Sequence, residues 1–186
     1  EFENREIFRE YRGQPTSIDL VIGEVGKAPK IFIESKFVEK EFGGCSLVEN
    51  GDCDGRNPSP DFNSCFLHHI WRQYWLLMEK HGLLEGPLAN TSICVMAGYY
   101  QFFREFLMAM EMAGTFVLLC DSRSPTFAYK DRNSKRGLVP FLLSLIPEHL
   151  QSNFRVLYIQ ELVEAIRDYG NHEWICEFER KYGLGK

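Results

Sequence analysis

"SIDLVIGEVGKAPKIFIESKF", residues 17–37, places three ionisable groups inside two otherwise strand-like runs. Residues 17–24 alternate apolar and polar side chains and are rich in β-branched residues, which predicts a strand. "EVGKAP" supplies Gly and Pro for a turn, and residues 30–37 predict a second strand. Together they predict a hairpin. Glu34 and Lys36 are two apart and so share one face of the second strand. Antiparallel pairing brings Asp19 of the first strand towards Glu34. Two carboxylates held close repel one another unless a cation lies between them, and oxygen donors suit Mg²⁺ or Mn²⁺. A neighbouring lysine orients or deprotonates a water. A metal that stabilises charge on a phosphoryl oxygen then completes the requirements for phosphodiester hydrolysis. The competing reading is a solvated Glu–Lys pair on an edge strand. A Glu-x-Lys triplet alone is common, and "ERK" at 179–181 is a second one, within a helix-like segment. The first is set apart by its place at the end of an apolar strand, with an acid on the strand before it.

Outward from the hairpin, "REIFREYR" at 5–12 reads as a further, earlier strand. Residues 43–64 are rich in Gly, Asn, Asp, Ser and Pro and show no period, so a long loop is expected there. Helical spacing predicts helices over 65–82, 97–114 and 137–150, the first two closed by Gly82 and Gly114. The short apolar run at 115–123 predicts a buried central strand and 153–162 a last strand, followed by an amphipathic helical tail over about 161–183. Strands followed by alternating helices and strands imply an α/β fold, a mixed central β-sheet flanked by helices on its faces. The expected organisation is one domain over 1–186, with a cysteine-containing loop insertion at about 43–64.

The 186 residues are 45% hydrophobic and 25% charged, a globular balance with enough apolar content for a core. The net charge of −5 gives no broad nucleic-acid footprint, although a local basic cleft and metal-holding acids are compatible with it. "KDRNSKR" at 130–136 is the one dense basic cluster. Its Lys130, Arg132, Lys135 and Arg136 suit a DNA backbone, or a solvated loop. Arg72 is open to the same two readings. No signal peptide and no bilayer-length apolar run is read, so the expected compartment is a reducing cytoplasm with no membrane partner. The six cysteines are then free or metal-bound. Cys45, Cys53 and Cys65 bracket the long loop and His68 follows, a candidate Zn²⁺ set, although the spacing matches no zinc ribbon and plain structural thiols explain it as well. Cys94, Cys120 and Cys176 read as core residues. Gln160 and Glu161 end the last strand, where helix capping is the expected role of the Glu and a place beside the site the competing one.

The acid on one strand and "IESK" on the next resemble the PD-(D/E)xK phosphodiesterase superfamily. "ESKFVEKEFGGCSL" and the later "RQYW" are similar to a group of bacterial restriction-endonuclease-like proteins. The resemblance implies the restriction-endonuclease-like three-layer fold over about residues 5–160. It implies a Mg-dependent deoxyribonuclease in which Asp19, Glu34 and Lys36 are catalytic and Asp19, Glu34 and the Ser35 carbonyl hold the metal. Ile18 stands where the motif often has Pro, and Glu3 is a poor match for the acid that relatives carry on a preceding helix. Relatives also use a helical Gln beside the site, for which Gln73 and Gln101 are candidates. Many relatives dimerise to cut both strands, so a homodimer on DNA is compatible. The alternative is a non-catalytic nucleic-acid-binding module of the same fold, or a structural zinc protein organised by the cysteine loop.

Overall fold

The hairpin forms, but its first strand is interrupted at Asp19. The computed structural model describes residues 2–127, 137–170 and 172–184. Strand β1 (Phe2–Glu3) pairs antiparallel with β2 (Ser17–Ile18), whereas β3 (Leu20–Ile22) pairs antiparallel with β4 (Ile31–Lys36). Asp19 is the residue between the two pairings. The predicted strand at 5–12 is instead a short helix, α1 (Arg5–Phe8). The Asn4 side chain accepts from the N–H groups of Glu6 and Ile7 at 3.1 and 3.3 Å, and that cap selects the helix.

Strands β5 (Thr115–Cys120) and β6 (Phe154–Tyr158) complete a four-stranded sheet in the order β3-β4-β5-β6, with β4, β5 and β6 mutually parallel and β3 antiparallel at one edge. This is the mixed α/β sheet expected from the strand and helix order. Helix α5 (Met96–Glu111) lies over one face. Its Phe102 meets Phe116 and Phe154 edge-on at 5.8 and 5.3 Å, in a large core that also takes in Phe32 and Leu118. Each such fully buried side chain contributes roughly 1.5–3 kcal/mol relative to an exposed one. The chain leaves α5 through Gly114, where a Cβ would stand 2.6 Å from the Phe32 ring and 2.7 Å from the Lys30 carbonyl. Only glycine lets β5 start so close to β4. A smaller cluster of Ile159, Val163 and Ile175, packed against Leu119, joins α7 (Ile159–Tyr169) and α8 (Glu173–Tyr182) to the sheet.

The helix predicted over 65–82 is two pieces. After the four-residue helix α2 (Ser46–Glu49) come α3 (Phe66–His69) and α4 (Tyr74–Lys80), separated by Trp71 at φ 70°. The Arg72 guanidinium donates to the carbonyls of Arg9 and Arg12, both at 2.7 Å, which ties this break to the exit of α1. Helix α6 (Leu138–Leu145) ends earlier than predicted, and a 3-10 turn over Glu148–Asn153 leads into β6. The last strand also ends early, because Ile159 begins α7 and the Glu161 carboxylate accepts from the Tyr158 N–H at 3.1 Å. The helical tail is broken at Gly170 into α7 and α8. Cys120 is buried as expected, but Cys176 is exposed on α8 and is no core residue. Among the described residues no helix is long and apolar enough to cross a membrane.

Candidate functional site

Phe32, Glu34 and Lys36 alternate along one face of β4, and all three are buried. Phe32 enters the core beneath α5, which carries the two polar residues further along the same face under that helix. Lys36 Nζ stands 3.1 Å from Glu34 Oε1. The register places Glu34 beside Leu118 and Lys36 beside Cys120 of β5, so the pair lies at the C-terminal end of parallel strands with a strand on each side of β4. An edge-strand surface pair is therefore not what forms: Glu34 is 5% and Lys36 7% exposed.

The break at Asp19 has a local cause in this site. Ser35 N–H donates to Asp19 Oδ2 at 2.9 Å, and the Asp19 N–H faces the Glu34 carboxylate. A residue that gives its backbone and side chain to β4 in this way cannot also continue a regular ladder. Asp19 itself is exposed.

Sequence reasoning missed a third carboxylate. Glu105 on α5 is 1% exposed. Gln101, one turn earlier, donates from Nε2 to Glu34 Oε1 and to Glu105 Oε1, both at 2.7 Å. Among the described residues Glu105 Oε2 is buried without a hydrogen-bond partner. Burial holds the Glu34 carboxyl above the usual carboxylate range, Lys36 opposes that shift, and Asp19 adds to it. Burial raises Glu105 further, with Glu34 the next cause. One buried lysine thus faces two buried acids and one at the surface, an arrangement that favours bound protons or a bound cation. The signal was present in "QFFRE", where Gln101 and Glu105 sit at i and i+4 in a mostly apolar helix.

A cavity of about 260 Å³ opens beside these groups, lined by Thr16, Ser17, Gln101, Arg104 and Glu105 among others. Arg104 is committed elsewhere: its Nη2 donates to Glu10 at 2.8 Å, and its Nε donates to Thr16 Oγ1 at 2.8 Å.

Of the two candidate glutamines, Gln101 meets the carboxylates. Gln73 donates to the Trp71 carbonyl, and Arg72 is bound to backbone carbonyls near α1. Lys130, Arg132, Lys135 and Arg136 lie outside the described residues. Cys45, Cys53 and Cys65 line one cavity, whereas His68 lines another and packs against Phe62. Glu161 caps α7, and Gln160 bridges to Asp121 at 2.8 Å.

Among the described residues no three His, Cys, Asp or Glu side chains are already gathered as a metal cage. Mg²⁺ does not require one, because it keeps several waters and takes one or two carboxylates. The unpartnered Glu105 oxygen and the unbalanced charge around Glu34 fit such a cation.

A family model described as REase-ARP, "Restriction Endonuclease associating with ARP", matches residues 1–183. No curated protein and no solved structure matches the chain.

Proposed function

The chain belongs to the REase-ARP family, and from that membership we propose that it is a metal-dependent nuclease of the restriction-endonuclease-like fold that hydrolyses DNA phosphodiester bonds. The observation that carries the reading is the buried Glu34–Lys36 pair, joined through Gln101 to Glu105 and through backbone donors to Asp19. The family description names a restriction endonuclease, and the site has the donors that such chemistry needs.

Asp19, Glu34 and the Ser35 carbonyl would hold Mg²⁺ or Mn²⁺. When bound, the ion supplies charge stabilisation at a phosphoryl oxygen and a more acidic water. The protein's own groups do the rest. Lys36, held against Glu34, presents its Nζ to the site, where the ammonium would orient the attacking water or the neutral amine would take its proton. Gln101 keeps the Glu34 and Glu105 carboxylates at fixed orientation, as outer-shell partners of metal ligands do. Burial on β4 and α5 keeps Glu34 and Lys36 from relaxing into solvent.

The test is cleavage of plasmid and linear DNA with Mg²⁺ or Mn²⁺, with chelator as the blank. Glu34→Ala and Lys36→Ala are expected to remove metal-dependent cleavage while circular dichroism stays native. Cleavage at the parent rate by both variants would sink the assignment. An RNA substrate run alongside distinguishes the nucleic acid.

A further inference from the structure

Four of the six cysteines line one cavity away from the carboxylates, without standing together as a formed cage. Cys45, Cys53, Cys65 and Cys94 line a space of about 340 Å³ between the loop and the start of α5. They arrive from separate pieces of chain. Cys45 immediately precedes α2, and Cys65 immediately precedes α3. The segment holding Cys53 is strapped to the segment holding Cys94: the Cys94 N–H donates to the Gly55 carbonyl at 2.7 Å, and Arg56 bridges to Ile93. Asn57 reinforces the strap through the carbonyls of Leu88 and Thr91 at 3.2 and 2.9 Å.

One of the sulfurs accepts from the backbone: Gly55 N–H donates to Cys53 Sγ at 3.5 Å. No disulfide links any pair of them. The loop they serve has only a four-residue helix and a 3-10 turn, too little apolar surface to fix so many residues.

We propose that Cys45, Cys53, Cys65 and Cys94 are the four ligands of a thiolate metal centre, a zinc ion or an iron–sulfur cluster, that fastens the loop against the helices. Both take four cysteine thiolates. Cys94 therefore replaces His68 in the set expected from the sequence, because the strap through Gly55 brings Cys94 in while His68 turns to a different cavity. Ligation of thiols releases protons, so uptake strengthens as pH rises. The centre is structural and does not depend on the nuclease reading.

Elemental analysis of the full chain, purified under reducing conditions without chelator, tests the proposal. About one zinc per chain with no visible absorption identifies the single ion. Iron with acid-labile sulfide and a broad visible absorption identifies the cluster. If the metal is lost in handling, Co²⁺ added to the reduced protein should give the intense visible bands of a thiolate-bound ion. Cys94→Ser and Cys65→Ser should each lose the metal, whereas His68→Ala and Cys176→Ser should keep it. Alkylation mapped by mass spectrometry on the parent protein guards against unfolded variants: metal should shield these four thiols and leave Cys176 reactive. No zinc, iron or Co²⁺ bound by the parent, or full metal retained by Cys94→Ser, would overturn the centre.

Discussion

Arg104 and Glu105 are neighbours on α5, yet they enter opposite kinds of environment. Arg104 reaches Glu10, whose carboxylate is 1% exposed and accepts from Thr16 N–H, Thr16 Oγ1, Tyr74 Oη and Arg104 Nη2 at 2.5, 2.9, 2.5 and 2.8 Å. Tyr100 extends this network by donating to Tyr74 Oη at 3.0 Å, and its ring lies 4.6 Å beneath the Arg104 guanidinium. Among the described residues Glu105 has one donor, Gln101, and a bare buried oxygen. The first carboxylate is saturated and neutralised, and it joins α1, α4 and α5. The second is left with unspent acceptor capacity beside another acid. A buried charge with all its partners holds a fold together, whereas one without them is stable only if a proton or a ligand arrives.

The comparison can be broken at three points. Glu10→Ala should have the largest effect on stability, about 3–5 kcal/mol, because it leaves Arg104 buried without its counter-charge. Urea denaturation reads this directly, and a loss near zero would mean that the saturated network is ornamental. Gln101→Ala should cost less in folding but about 10–100-fold in metal affinity or cleavage, the usual effect of removing an outer-shell partner. Calorimetric titration with Mn²⁺ separates that loss from unfolding.

The smallest effect is a pH slope. Glu34 and Glu105 bind protons more tightly in the folded chain than in the unfolded chain, where their ordinary value is 4.5. Their contribution to stability is therefore fully present below that value. It is lost as pH rises through their higher folded values, because over that range the folded state holds more protons than the unfolded one. Glu105→Gln should flatten this decline, and the melting temperature of the metal-free variant should exceed that of the parent at neutral pH. Mg²⁺ or Mn²⁺ should stabilise the parent more as pH rises. An identical pH profile for parent and variant would show that Glu105 is not the strained member of the pair.

Much of the sheet was legible because strand and helix periods are local. The β4 and β5 segments and helix α5 each announced themselves through apolar runs of the right length, and Glu34 and Lys36 stood out against the β4 pattern. The errors fall where a distant or capping contact overrules propensity. Residues 5–12 read as a strand, but one Asn4 cap makes 5–8 helical. Residues 65–82 keep helical spacing throughout, but Arg72 binding to two carbonyls some 60 residues away accompanies a break at Trp71.

By itself the sequence set Asp19, Glu34 and Lys36 as ionisable groups inside two strand-like segments of one hairpin, with Glu34 and Lys36 on one face. It also placed three cysteines around a loop with no core of its own. Only the tertiary structure decided the company these residues keep. Gln101 is 67 positions from Glu34, and nothing local to either one specifies that they meet at 2.7 Å. Glu105 joins them because α5 crosses the β4 face, and Cys94 joins the other thiols because a strap at Gly55 draws its segment in. Periodicity reports which face of an element is buried. Which groups share that burial depends on packing between elements, and that is where the chemistry of both sites is assembled.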